Sequence, residues 1–332
     1  MFKRLLALLL PVFAVIAFGT AASALAADDG LVRFATLPKP GPGFPEGITA
    51  DPAGRIYAAT FDFSQPNVVY VFDRNGKIDE TISLPAGVVP LGLEFGGGKL
   101  YVANFFGGTV LEYSSFTSGS LPTRSFTVCG GVPANCGLNS LTFDPAGDLY
   151  VSDSFGGNVF KIDLPAGVVT TFIDGNNPAY ELLKPGSHGF PPFGANGLAF
   201  DVSFQNLYIA NTADDRILKY NIATGALTTF AESINGADGI SFDRKGRLWV
   251  AANQADEVVA LNANGRVVER VGSFEGIGRD GAAKGLLFPA SIVISRGFIY
   301  VTNLALALTP AVGDEPEEDV TTYTVSRFRL PN

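Results

Sequence analysis

Asn196-Gly-Leu-Ala-Phe-Asp201 is followed, after a short turn, by Leu207-Tyr208-Ile209, and this pair of phrases recurs six times along the chain. The first phrase begins at Glu46, Leu91, Asn139, Asn196, Asp238 and Ala290. The second reads Ile56-Tyr57-Ala58, Leu100-Tyr101-Val102, Leu149-Tyr150-Val151, Leu207-Tyr208-Ile209, Leu248-Trp249-Val250 and Ile299-Tyr300-Val301. A third, alternating segment follows, as in Val159-Phe160-Lys161-Ile162 and Ile217-Leu218-Lys219-Tyr220, and then a more polar fourth at 168–172 and 227–230. Asp-Pro-Ala-Gly at 51–54 and 144–147 supplies turn geometry between the first two segments. Four strands per unit, repeating about every fifty residues, predict an all-β, six-bladed β-propeller. The last unit holds only three strands, whereas Leu31-Val32-Arg33-Phe34-Ala35-Thr36-Leu37 is a strand without a unit. Pairing of this N-terminal strand with 323–330 in the C-terminal blade would close the ring and cover an edge that otherwise invites aggregation.

Composition narrows the chemistry. The 332 residues include one His, two Cys and a single Met, the initiator. Two-histidine zinc motifs, four-cysteine zinc sites and self-sufficient iron–sulfur ligation are therefore excluded, and a Ser-His-Asp triad could rest only on His188. Carboxylates, amides and hydroxyls remain, with a hard metal as their natural helper. The formal net charge of -9 argues against nucleic acid and anionic membrane surfaces as partners.

Lys3 and Arg4, the apolar run 5–18 and Ala24-Leu25-Ala26 have the order of a cleavable signal peptide over 1–26. The expected mature protein is one propeller domain, 27–332, exported to the periplasm or secreted, with no membrane association after cleavage. An oxidising compartment suits a disulfide between Cys129 and Cys136 as a local loop staple.

In a propeller the innermost strand of each blade lines the central channel. The residues opening the six repeats should therefore form one ring at a channel mouth: Glu46, Leu91, Asn139, Asn196, Asp238 and Ala290. Two carboxylates and two amide oxygens near one axis form an all-oxygen donor set suited to Ca²⁺, with Mg²⁺ or Mn²⁺ as substitutes. Glu46 is a poor turn residue, so turn geometry does not explain its place in the ring.

This register resembles the senescence-marker-protein/gluconolactonase/luciferin-regenerating family, most clearly at Pro45-Glu46-Gly47, Asn196-Gly197-Leu198 and Asp238-Gly239-Ile240. The resemblance implies a divalent metal, calcium or zinc, held by Glu46, Asn196 and Asp238. It places Asn139 beside that metal as a contact to substrate or water. The implied activity is hydrolysis of a small-molecule lactone or ester, with the metal polarising the carbonyl, Asp238 as general base and Asn139 positioning the reactants. Two departures stand out. The family's lactonases often read Asn-Asp-Gly where this chain has Asn139-Ser140-Leu141, and they often carry an Arg, used to grip sugar acids, where this chain has Gly137.

Two long loops border the mouth. The loop 173–195 brings His188 and Phe193, candidates for acid/base chemistry or substrate contact, against the plainer readings of a solvated histidine and a loop-packing phenylalanine. The loop 304–322 carries the acidic run 314–319. Its apolar part, with that of the first loop, suggests a pocket wall suited to a substrate less polar than a sugar acid. Asp153, ending a second strand, is a further candidate for substrate contact, although its counterparts Asn104, Asn211 and Asn303 read as turn formers. The competing functional class is a non-catalytic, exported binding propeller of the NHL type, whose mouth takes a ligand or a protein. A strictosidine-synthase-like condensing propeller requires a catalytic Glu for which this sequence offers no evident position.

Overall fold

The computed structural model describes residues 30–38, 43–63, 66–129, 136–187, 191–309 and 314–331. The signal-peptide segment 1–26 lies outside them. Six four-stranded antiparallel sheets account for nearly all the regular structure. Their innermost strands are Pro45–Ala50, Pro90–Gly96, Leu138–Phe143, Ala195–Phe200, Ala237–Phe242 and Pro289–Ser295. These contact one another in chain order, and the sixth contacts the first, so the ring is closed. The sixth sheet runs, from the axis outward, Pro289–Ser295, Phe298–Asn303, Thr324–Arg329, Val32–Thr36. The N-terminal strand thus pairs with the C-terminal one, Val32 opposite Arg327 and Thr36 opposite Thr324. An additional hairpin, Phe274–Ile277 with Ala283–Gly285, is inserted between blades five and six.

Second strands such as Ile56–Thr60, Leu149–Asp153 and Leu248–Ala252 are buried along their whole length. A strand covered by a blade on each face has no polar side, and this is why its sequence reads as a continuous apolar run. The recurrent aromatic at its second or third position bridges to the next blade. Tyr57 meets Phe95, Tyr101 meets Phe143, Tyr150 meets Phe200 and Tyr208 meets Phe242, at centroid separations of 4.9–5.5 Å. The buried hydroxyl or indole N–H then needs a partner. The carboxylates of the first turns supply it: Tyr57 donates to Asp51, Tyr150 to Asp144 and Trp249 to Asp243. The same carboxylates accept turn N–H groups, as Asp51 does from Arg55 and Asp243 from Arg247.

Near the mouth each innermost strand departs from regular pairing. The register with the second strand shifts between Pro45 and Ile48, Pro90 and Leu93, Leu138 and Leu141, Ala195 and Leu198, Ala237 and Ile240, and Pro289 and Ile292. Each bulge contains the repeat-opening residue, which is second in its strand and not first. The next residue is Gly in four blades, because the following blade leaves no room for a side chain. A Cβ on Gly47 would lie 2.1 Å from the Leu91 carbonyl oxygen, on Gly92 1.9 Å from that of Asn139, and on Gly197 2.1 Å from that of Asp238. Blades three and six carry Ser140 and Ser291 there instead, and the Ser140 hydroxyl accepts the Leu198 N–H across the blade boundary. Gly92→Ala should cost about 1–3 kcal/mol or more, since backbone and not a flexible side chain must yield. Thermal unfolding checks this. Ala at the exposed, unobstructed Gly119, where only the positive φ resists it, should cost less.

Candidate metal centre

The bulges turn the repeat-opening residues toward the axis, where four of them line an apolar-walled cup of about 240 Å³ together with Leu91. Glu46, Asn139, Asn196 and Asp238 form its polar floor, and Asn253 joins them. All five are at most 5% exposed. Asn253 was not among the residues expected from the sequence. It directly follows the second strand of blade five, a register position held by Phe61, Phe105, Ser154, Thr212 and Leu304 in the other blades. Aligning the repeats on that position would have exposed it. Gly236, at φ +64°, makes room for it: a Cβ there would fall 1.8 Å from Asn253 Oδ1.

A layer of hydroxyl groups holds the amides. Asn139 donates through Nδ2 to Ser154 (3.2 Å), whose hydroxyl donates to the Ala195 carbonyl (3.0 Å). Asn196 donates to Thr212 (2.9 Å), which donates to the Ala237 carbonyl (2.7 Å). Thr302 donates likewise to the carbonyl of Glu46 (2.8 Å). Ser154, Thr212 and Thr302 are fully buried, so each relay ties one floor residue or its neighbour to the adjoining blade. Asn253 donates to Asp238 Oδ2 at 3.1 Å.

This leaves acceptors unused. Glu46 Oε2, Asp238 Oδ1 and Asn253 Oδ1 are buried with no hydrogen-bond partner among the described residues. Unpaired buried acceptors are costly, and buried carboxylates more so. Burial pushes the Glu46 carboxyl well above the ordinary range, and the nearby Asp238 charge pushes it further. Asp238 is also raised by burial, although the hydrogen bond from Asn253 and the neighbouring Asn196 amide oppose the shift. Two acids and three amides, with three orphaned oxygens among them, match what a hard divalent cation requires: oxygen donors, negative charge and, among the described lining residues, no cationic side chain. Among the described residues no group of three or more His, Cys, Asp or Glu could hold a metal. The donor set therefore depends on amide oxygens and suits Ca²⁺ better than Zn²⁺, which favours nitrogen and sulfur.

The other expected residues separate. Phe193 lines the cup and also packs edge-on against Phe105 at 5.8 Å, so it serves as both wall and loop anchor. His188 lies outside the described residues. Asp153 is not among the residues lining the cup. Its carboxylate is occupied by the N–H groups of Gly137, Phe155 and Gly156 and by Asn158 Nδ2, and it therefore shapes the turn after its strand. Asn104 and Asn211 act similarly, accepting Val89 N–H and bracing the Leu182 and Lys184 carbonyls. A disulfide joins Cys129 and Cys136. In the acidic loop, Glu315 accepts the N–H groups of Leu308 and Thr309 and so fixes Leu308 at the cup rim.

Comparison with known proteins follows the same lines. Residues 189–273 match the model described as SMP-30/Gluconolactonase/LRE-like region, a span that contains Asn196, Asp238 and Asn253. Residues 24–62 match Strictosidine synthase-like, N-terminal. No curated protein matches the chain in sequence. Among solved structures, a luciferin-regenerating enzyme is similar at 16% identity and TM-score 0.61, over 86% of this chain and 90% of its own. The calcium-binding protein regucalcin from Agrobacterium tumefaciens is similar at 15% and 0.60, over 89% and 93%. A gluconolactonase from Xanthomonas campestris is similar at 16% and 0.59, over 91% and 89%.

One consequence of the floor is a pH dependence with a defined sign. Glu46 and Asp238 bind protons more tightly folded than unfolded, so the cation-free protein should lose stability as pH rises from about 4 through their raised values. Melting temperatures in chelator across that window should fall, Glu46→Gln should flatten the slope, and added Ca²⁺ should reverse it. Blades four and five are thus similar in sequence to the SMP-30/Gluconolactonase/LRE-like region, and the whole ring shares the fold of these solved structures.

Proposed function

We propose that the protein is a divalent-cation-dependent hydrolase of lactones or esters. The observation that carries this reading is the cluster of orphaned carboxylate and amide oxygens at the base of an apolar-walled cup. Glu46, Asn196 and Asp238 would hold the cation, Ca²⁺ first among the candidates, and Asn253 Oδ1 lies with them as a further oxygen donor. When bound there, the cation supplies Lewis-acid polarisation of a carbonyl. Asp238, whose proton affinity burial raises, would act in its ionised form as general base toward the attacking water. The water oxygen bonds to the carbonyl carbon and the ring C–O bond breaks. The proton taken by Asp238 passes to the departing alkoxide, giving a hydroxy acid. Asn139, fixed by Ser154, orients the water or the carbonyl.

The leader-like segment 1–26 and the Cys129–Cys136 disulfide support action outside the reducing cytoplasm. A non-catalytic binding propeller is the competing reading. Gly137 favours it, since it stands where the resembling lactonases often carry a substrate-gripping arginine.

Elemental analysis of untagged protein should find about one divalent ion per chain. A panel of lactones and aryl esters should be turned over with calcium and not with chelator. Asp238→Asn should reduce kcat by at least a hundredfold, in keeping with loss of a positioned base, while the protein remains folded. Metal-free protein whose stability is indifferent to calcium and to Glu46→Gln, and which turns over no member of the panel, would be a binding module instead.

A further inference from the structure

Three register positions around the mouth divide the six blades in the same way. Two residues before the floor residue, the blades carry Phe44, Val89, Gly137, Gly194, Gly236 and Phe288. At the floor they carry Glu46, Leu91, Asn139, Asn196, Asp238 and Ala290. After the second strand they carry Phe61, Phe105, Ser154, Thr212, Asn253 and Leu304. In five blades the first and third of these positions are joined by a backbone hydrogen bond, as in Phe61 N–H to Phe44 O and Asn253 N–H to Gly236 O. They are thus equivalent by structure as well as by sequence. Blades three, four and five present glycine, then amide or acid, then a hydrogen-bonding side chain. Blades six, one and two present bulky apolar groups, with Glu46 and the small Ala290 as the exceptions.

The division shapes the cup. Phe61, Leu91, Phe105, Phe288 and Leu304 belong to one apolar cluster, against which Leu306 and Leu308 also pack. The rim continues outward in Phe63, which is 71% exposed and touches Phe106. Among the described residues, the only charged side chains lining the cup are the two floor acids. A polyhydroxylated or anionic substrate would leave its hydroxyl or carboxylate groups facing hydrocarbon, at the cost of an unpaired buried polar group for each.

We propose that the ligand of this cup is a lactone or ester bearing an unsubstituted hydrocarbon chain. Its carbonyl sits over blades three to five and its chain lies along blades six, one and two. This rests on the hydrolase reading for the carbonyl and on the partition alone for the chain.

The experiment is a series of γ-lactones from γ-butyrolactone to γ-dodecalactone, with glucono-δ-lactone as the polyol comparison, assayed in calcium. In parallel, calorimetry measures binding of the matching 2-alkanones, which cannot be hydrolysed. Both kcat/KM and alkanone affinity should rise up to about fourfold per methylene until the chain outgrows the cup. The alkyl lactones should exceed glucono-δ-lactone, and Leu306→Ser should lower the ratio of long-chain to short-chain values in both assays. If no lactone is turned over but alkanone affinity climbs with length, the hydrolase reading falls and the apolar ligand stands. If lactones are turned over with no dependence on length and alkanones bind no better as they lengthen, the apolar ligand is overturned and the hydrolase stands. A preference for the polyol also overturns it.

Discussion

The closeness with which neighbouring blades meet at the axis governs the rest of the structure. Gly47, Gly92 and Gly197 each lie so near the next blade's carbonyl that a methyl group could not be inserted without moving backbone. That contact sets the diameter of the ring. Beside it lies the bulge that takes Glu46, Asn139, Asn196 and Asp238 off the regular sheet pattern and toward a common centre. The hydroxyls of Ser154, Thr212 and Thr302 then bind across the same boundaries. The floor of the cup is therefore rigid for the same reason that the blades are packed. A donor set held this way is pre-organised, and buried charge is tolerated because the surroundings cannot relax to release it.

Much of this was legible in the sequence, because a repeat multiplies weak signals. Asn-Gly or Asp-Gly alone is an ordinary turn; at one register position in successive units it defines a ring. The six blades, the closure of 31–37 onto the last blade, and the approach of Glu46, Asn139, Asn196 and Asp238 to one mouth all follow from that position. Asn253 was missed because it lies on a different register line, one that reads Phe, Phe, Ser, Thr, Asn, Leu and so resembles core in half its members. Asp153 presents the opposite case. A carboxylate invites a chemical role, but this one already accepts three hydrogen bonds from its own turn and a fourth from the Gly137 N–H. Sequence spacing shows where a residue sits along the chain, and not how many of its oxygens are already satisfied.

The two halves of the mouth serve different physical purposes. In blades three to five, glycines at the entrance and Ser154, Thr212 and Asn253 behind the floor let polar groups come forward, each amide or acid of the floor keeping at least one hydrogen bond. In blades six, one and two the same positions are filled by phenylalanine, leucine and valine, and these exclude water from one side of the acids. A low-dielectric wall facing a polar floor raises the proton affinity of the carboxylates and increases the value of any positive charge brought to them. The apolar wall is thus part of the electrostatics of the site and not only a surface for contact.

The strand pairing that completes blade six has a consequence for how the molecule holds together. Val32–Thr36 and Thr324–Arg329 come from opposite ends of the chain, and the blade they share lies between Glu46 on blade one and Asp238 on blade five. A cation shared by those two acids would span the one blade stitched from both termini, with the Thr302 hydroxyl already anchored to the Glu46 carbonyl across the join. Occupancy of the mouth would then act as a clasp on the ring. Fraying of the terminal strands and escape of the ligand would be thermodynamically linked, each made less favourable by the amount that the other is opposed.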